Sequence, residues 1–533
     1  MTARAAGLWV LLAAVWFGTL GIRPLYKADE SRYGEISREM VASGDWLTPR
    51  LNGFKYFEKP PLQYWASAAL FEVLGERDWV ARLWTALLGI AGIALTFYAG
   101  NRLFGPPTGA YGAAVLAGSP LYVVLGQVNT LDMGVTFFLS AAIFALCMQR
   151  MLWFSVACAL AVLSKGLIGI VLPAGAVGLY ILLKQDWSLV RRLRIVPGAL
   201  LFLAITAPWF VAVSARNPEF AHFFFIQEHF QRFTTEMHQR VHPWWYFIPV
   251  LAAGMVPWLV PLGHAAMCAV RRKNRDSPYF AGNRDSPYFL DAEALLWCWA
   301  LVVLIFFSLS SSKLPPYILP IFPALAVLAA RSLTAGVLRV QSGLLLIAAL
   351  AAAYGVHRYA AGGPYAGYGA WLIGSALILA ASATVAHVLA HKARVAGAVL
   401  AMAAGALVAT QVGLAAHATM ADRFSVDSTV AKLPERPPAD VPVYAVDRYD
   451  HTLPWTLRRT ITMVGYRDEL GVAIDWEPQK FVADLATFAQ RWRTEPRAWA
   501  FVAPNDVERL QRELGVEMQV MARGPTYAIV KKP

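Results

Sequence analysis

Apolar runs separated by short polar connections fill most of the chain up to about residue 420, where the pattern changes. Taken in order, the runs predict helices at 7–22, 80–100, 108–126, 131–148, 152–165, 167–184, 196–214, 247–270, 293–309, 316–331, 341–356, 369–390 and 395–416. About thirteen spans result, with joins at 131–165 and 293–331 that leave twelve to fourteen open. Several runs fall short of the roughly 20 residues that a helix needs to cross the hydrocarbon core. The first is followed by RPLYKADE, with no small-residue cleavage site, so it is expected to be a retained span and not a secretory signal.

Beyond residue 420 the pieces VPVYAV, FVADLATFAQRW, AWAFVAP, NDVERLQREL and TYAIVKK alternate between strand-like and helix-like patterns. Such alternation predicts a small α/β domain, reached through the proline-rich LPERPPADVP. The expected fold is therefore a polytopic all-α membrane domain over 1–420, with outer loops at 23–79 and 215–246, followed by a C-terminal α/β domain over 421–533.

One dense polar stretch, 27–61, interrupts the apolar pattern soon after it begins, opening KADESRYGE and closing FKYFEKPP. Within it, DESRYGEISREM places Ile36 and Met40 four apart, with Arg32, Glu35 and Arg38 on polar positions. That is the pattern of an amphipathic helix lying in the bilayer interface. A second helix carrying Leu62, Tyr64 and Trp65 is expected after Lys59-Pro60-Pro61, because proline suits a first helical turn.

Composition agrees with a membrane protein: 57% of residues are hydrophobic and only 15% charged, against about 25% charged in a soluble domain, and the mean hydropathy is +0.47. The formal net charge of +13 suggests nucleic acid at first sight, but the placement of the basic residues argues against it. Arg102, Arg150, Arg191, Arg192, Arg194, Arg271, Arg272, Lys273, Arg275, Arg331, Arg339, Lys392 and Arg394 fall in every second connection, as cytoplasmic loops do. The N-terminus then starts inside, and thirteen spans deliver the tail outside. Cys147, Cys158, Cys268 and Cys298 lie in or beside apolar runs without CxxC spacing, so neither a disulfide framework nor a thiolate zinc site is expected. The segment NRDSPYF occurs at 274–280 and again at 283–289, two copies being too few for a solenoid.

The opposite face gathers charges of both signs: the 23–79 loop, Asp132 in NTLDMG, Lys165 in SKG, the 215–246 loop, Lys313 in SSSKLPPY, and the tail. Leaving such a group unpaired at membrane depth costs about 2.5–3.5 kcal/mol, which makes these residues functional candidates. Asp29, beside Glu30, and Asp132 sit at helix starts, where an acid can simply complement the helix dipole. Two acids on one outer face also fit sugar transfer, where carboxylates stabilise an oxocarbenium-like centre, hold hydroxyls or act as base. Arg32, Lys59 and Arg240 are candidate phosphate contacts: guanidinium matches phosphate oxygens two at a time and lysine acts as a point charge. Taken singly, each also suits snorkelling to headgroups. His238 and His242, spaced i, i+4 on the side of Glu58, fit a structural zinc, with ordinary hydrogen-bonding histidines as the plainer alternative.

Taken jointly, Asp29-Glu30, RYGE, FEKPPL, NTLDMG, SKG and KLPPYILP resemble the multispan GT-C glycosyltransferases. Within them the likeness is to the bacterial aminoarabinose transferases of lipid A, relatives of the protein O-mannosyltransferases, and it covers the first 330 or so residues. The resemblance implies transfer of 4-amino-4-deoxy-L-arabinose from undecaprenyl phosphate to lipid A phosphates at the periplasmic face of the inner membrane, and with it resistance to polymyxin. It implies Asp29 and Asp132 as central acids, Lys59 with Arg32 and Arg240 near the carrier phosphate, and Glu30, Tyr56, Lys165, Lys313 and Tyr317 at the cavity wall. The resemblance implies that no nucleotide sugar is needed, which agrees with the lack of DxD and glycine-loop motifs, and no cofactor is expected to be required. The partners expected are the polyprenyl-linked donor, the lipid A acceptor and membrane lipids, with no nucleic acid, and the chain is expected to act as a monomer. The alternatives are a related transferase with a protein or other glycolipid acceptor, and a lipid-phosphate flippase or transporter. Against the last, no repeat between halves is evident, and the charges gather at one surface instead of at midplane.

Overall fold

The computed structural model describes residues 3–231, 242–272, 290–360, 363 and 365–533. Both NRDSPYF copies lie outside these residues, as do His238 and Arg240. The chain divides into two compact units: Met1–Thr19, Glu58–Leu62 and Thr85–Ala415 form the first, while Leu20–Phe57, Gln63–Trp84 and Ala416–Pro533 form the second.

The first unit is helical. Each apolar run gives helix, so the coarse expectation of a polytopic helical membrane fold holds. Six described helices are long and apolar enough to cross a membrane, or seven if the bent pair Phe247–Gly254 and Val256–Arg271 counts as one. Others, such as Leu131–Cys147, Met151–Lys165 and Ile168–Lys184, are apolar but shorter.

Three runs expected as single helices are broken, each time at proline or glycine. The 108–126 run splits into Pro106–Ala117 and Pro120–Leu125. Pro120 has no N–H to continue the ladder, and a side chain on Gly118 would come within 2.8 Å of Ala403 Cα. The 247–270 run bends by 79° where Gly254 meets Val256 and Pro257. The 316–331 run begins as a 3-10 turn, Pro315–Ile321, before Phe322–Ala330 becomes α-helical.

In the second unit the polar stretch forms the helix Asp29–Ser43, a two-stranded hairpin of β1 (Arg50–Leu51) and β2 (Phe54–Lys55), and the helix Leu62–Leu74. The first of these helices was expected to show one polar face at a bilayer surface. Instead, every residue from Glu30 to Met40 is buried. Its charged side chains meet packed partners, Arg38 with Glu35 and Arg32 with Glu469, although Arg32 Nε and Glu39 Oε1 are buried without a hydrogen-bond partner among the described residues. Gly34 is required for that packing, since a Cβ there would lie 2.9 Å from Leu25 and 3.3 Å from the Trp455 ring.

The tail of this unit is a six-stranded sheet: β3 (Val443–Val446), β4 (Thr462–Val464), β5 (Phe481–Val482), β6 (Trp499–Val502), β7 (Gln519–Arg523) and β8 (Ala528–Lys531). The order is β5-β4-β3-β6-β8-β7, the first four parallel and β8 antiparallel to both β6 and β7. Side chains alternate faces along a strand, and here both faces are covered. Tyr444, Val446, Ala500 and Val502 pack with Phe488, Trp492 and Leu510, whereas Val443, Ala445, Trp499 and Phe501 pack with Val426, Val430 and Tyr527. Strands buried on both faces read as unbroken apolar runs, as VYAV and WAFV do.

Candidate functional site

In the first unit, five short pieces of chain meet at a cavity of about 320 Å³. The first turn of Leu131–Cys147 supplies Asp132 and the last residue of Met151–Lys165 supplies Lys165. The 3-10 turn Pro315–Ile321 supplies Tyr317, the π-helical segment His222–Gln231 supplies Glu228, and the 58–62 stretch supplies Lys59. Four of these five groups thus sit at or near the end of a helix or on an irregular helix, where backbone geometry can aim a side chain into open space. Single π-type turns recur at functional sites for this reason.

Two ion pairs define the electrostatics. Lys165 pairs with Asp132, and its ammonium lies 5.2 Å from the centre of the Tyr317 ring, which is itself packed against Phe307 at 5.0 Å. Lys59 Nζ lies 3.0 Å from Glu228 and donates to the Glu58 carbonyl at 2.7 Å. Ser310 and Ser312 add hydroxyls to a wall otherwise built from Val135, Leu172, Phe306 and their neighbours. The Ser312 hydroxyl is buried and meets no partner among the described residues. Chemically, the cavity offers two cations, two carboxylates, an aromatic face and apolar walls. Lys313, expected at the wall, is 5% exposed and donates instead to the Ser310 carbonyl at 2.6 Å.

In the second unit, Asp29 occupies the first position of its helix with about half of its side chain exposed, 3.3 Å from Arg32. Arg32 also reaches Glu469 at 2.5 Å, and Glu469 pairs in turn with His451. Arg32 and Asp29 are thus brought together, and Tyr56 is buried in the same unit at 2% exposure. Glu30, expected at a cavity wall, is locked elsewhere. Its carboxylate accepts from both Arg23 and Arg82, the latter at 2.8 and 3.0 Å, while Arg82 also donates to the carbonyls of Leu20, Arg23 and Pro24. Burial alone would raise the Glu30 pKa, but the two guanidinium groups outweigh it and hold the carboxyl well below its usual range. Four residues further on from Glu35, itself bridged to Arg38, Glu39 is pushed up to about 8, first by burial and then by the Glu35 charge.

Of the residues expected to hold a zinc, Glu58 and His242 fall among the described residues. His238 lies outside the described residues, and His242 is exposed and stacked on Tyr246 with ring centres 4.3 Å apart. Among the described residues no three His, Cys, Asp or Glu side chains are placed to hold a metal. Sequence reasoning missed Glu228, Ser310 and Ser312 in the first unit, and Arg82 and Glu469 in the second. Glu228 had a signal, being an acid inside the aromatic run HFFFIQEHFQ. The serines and Glu469 had none.

Residues 58–211 match the family model described as dolichyl-phosphate-mannose-protein mannosyltransferase, and residues 429–532 match the aminoarabinose transferase C-terminal domain. An undecaprenyl phosphate-alpha-4-amino-4-deoxy-L-arabinose arabinosyl transferase from Sodalis glossinidius is 35% identical over 352 residues, 61% of this chain and 59% of the relative. Its counterpart from Aeromonas hydrophila is 34% identical over 58% of this chain and 56% of the relative, so the aligned stretch spans less than two thirds of these curated relatives. The crystal structure of ArnT from Cupriavidus metallidurans bound to undecaprenyl phosphate matches with a TM-score of 0.92 and 33% identity, over 100% of this chain and 98% of that one. The apo form of the same protein matches with a TM-score of 0.90. A likeness of that identity, running over nearly the whole of both chains, places this protein in the ArnT family of aminoarabinose transferases.

Proposed function

We propose that this chain transfers 4-amino-4-deoxy-L-arabinose from undecaprenyl phosphate to the phosphates of lipid A, at the periplasmic face of the inner membrane, and so confers polymyxin resistance. The observation that carries this is the cavity in the first unit, where the Lys59–Glu228 and Asp132–Lys165 pairs share a chamber whose remaining wall is mostly apolar. That combination suits a ligand with an anionic headgroup, a cationic sugar and a hydrocarbon tail. The reaction is a displacement with inversion: a lipid A phosphate oxygen attacks the anomeric carbon as the bond to the carrier phosphate breaks. Lys59 takes up charge on the departing phosphate, with Arg32 and Arg240 as further contacts, and Asp132 stabilises positive charge growing on the sugar. Tyr317 and Lys165 shape the wall.

A phosphate acceptor is already ionised at neutral pH and needs no strong base, so Asp29 orients and stabilises instead of abstracting a proton. The match to a protein mannosyltransferase model favours one second reading, a hydroxyl acceptor, for which Asp29 would act as a true base. The Asp29→Asn variant separates them: a modest rate loss fits the phosphate acceptor, and abolished turnover fits the hydroxyl. Mass spectrometry of lipid A from cells with and without the chain tests the whole proposal, and an unchanged lipid A mass would overturn it.

The topology proposed with this function has thirteen spans, a cytoplasmic N-terminus and a periplasmic tail, with a transferase domain over 1–420 and an accessory domain over 421–533. The displacement requires no cofactor. A structural zinc on Glu58, His238 and His242 is a separate proposal, tested by metal analysis of the purified protein.

A further inference from the structure

A second cavity of about 500 Å³ lies in the first unit, where the connection after Leu131–Cys147 meets the short helix Ser188–Arg192. Arg150, Arg191, Arg192 and Arg194 line it. Arg192 is paired with Asp186. The guanidinium groups of Arg150, Arg191 and Arg194 meet no carboxylate among the described residues, so the chamber carries uncompensated positive charge. Gln149 and Arg194, both on the wall and both at helix ends, adopt left-handed conformations with φ of 56° and 50°.

Beside it lies an apolar cavity of about 370 Å³ between the helices Asp78–Phe104, Leu131–Cys147 and Met151–Lys165, with Tyr98, Phe137 and Ala141 on its wall. The two cavities share Arg150 and Trp153, and Trp153 is 64% exposed. A cationic chamber opening beside an apolar slot, with a tryptophan at the junction, has the two-part chemistry of a membrane lipid: phosphate in one, hydrocarbon in the other. The arginines belong to connections whose charge assigns them to the cytoplasm, where anionic lipid is drawn to basic pockets between helices.

We propose that this paired cavity binds an anionic glycerophospholipid of the cytoplasmic leaflet, its phosphate held by Arg150, Arg191 and Arg194 and one acyl chain lying in the slot beside Tyr98 and Phe137. The site is separate from the chamber around Asp132, and the proposal stands whether or not the transferase reading does.

The test uses the full chain, delipidated in detergent and titrated with phosphatidylglycerol while bound lipid is counted by native mass spectrometry. The triple variant Arg150→Ala, Arg191→Ala, Arg194→Ala is expected to bind at least about tenfold more weakly, given what each basic residue contributes near an anionic lipid surface. A control that removes equal charge elsewhere, Arg339→Ala with Lys392→Ala and Arg394→Ala, is expected to leave the bound lipid unchanged. Ala141→Trp, which fills the slot without altering charge, is expected to weaken binding as well. Phosphatidylcholine and glycerol phosphate are the competing probes, both expected to bind poorly. Equal retention of phosphatidylglycerol by the triple variant and the control overturns the proposal. So does wild-type binding of glycerol phosphate as tight as that of phosphatidylglycerol, which would make this a small-anion site.

Discussion

Glu30 and Asp132 are both acids at the start of a helix, both buried, and both paired with a cation, yet they do opposite things. Glu30 is gripped by two arginines, and one of these also ties down three backbone carbonyls. Releasing any one of these groups would leave a buried charge or carbonyl without its partner. Asp132 meets the flexible ammonium of Lys165 at the wall of an open cavity. A lysine pairs as a point charge and can exchange partners, whereas a forked guanidinium fixes geometry. The lesson is that charge inside a membrane protein is not a site by itself; the kind and number of its partners decide whether it holds the fold or waits for a ligand.

The comparison breaks most decisively at the arginine. Arg82→Ala strips one grip from a buried carboxylate and leaves three carbonyls without their donor, for an expected cost of about 3–5 kcal/mol. Thermal unfolding and yield in the membrane should both collapse, and a variant with normal stability would mean that the clamp is ornamental. Asp132→Asn should do the reverse: turnover, read as aminoarabinose added to lipid A, falls by about a hundredfold or more, the size typical of losing one electrostatic stabiliser, while the unfolding temperature barely moves. Lys59→Ala should weaken the donor interaction by about tenfold to a hundredfold, as expected for a hydrogen bond to a charged group. A saturation curve in donor concentration reads this out, and unchanged half-saturation would remove Lys59 from the phosphate.

The smallest effect concerns pH. Glu39, pushed up to about 8 in the folded chain, binds its proton more tightly there than in the unfolded chain. Its contribution therefore favours folding at low pH and is lost as pH climbs from the ordinary glutamate range through about 8. Glu30 contributes with the opposite sign, and its stabilisation fades only as pH falls below the ordinary glutamate range. Glu39→Gln keeps an acceptor for the Gly53 N–H, now 2.8 Å away, and should flatten by about a few degrees the decline in unfolding temperature between the ordinary glutamate range and pH about 8. If the slope persists, another group is responsible.

Much of the cavity's charged lining was legible because lipid is an unforgiving solvent. Asp132, Lys165 and Lys59 stand out in the sequence as charges beside apolar runs, and they line the cavity. Lys313 stood out equally and serves the backbone instead, because a lysine beside an apolar run and a lysine inside a turn leave the same trace in sequence. The polar helix Asp29–Ser43 was legible as a helix but not as a buried one. Its periodicity gives the surface pattern, and only packing partners far along the chain, Trp455 among them, decide that this surface is covered.

What the sequence determined by itself was the membrane class, the helical runs, the polar stretch that interrupts them and the alternating α/β tail, since each follows from local composition and period. Tertiary structure alone decided which ions pair, where prolines break the long runs, and which acids face a cavity. Those outcomes depend on side chains hundreds of residues apart arriving at one place, as when Arg32 meets Glu469, and no local pattern encodes such a meeting.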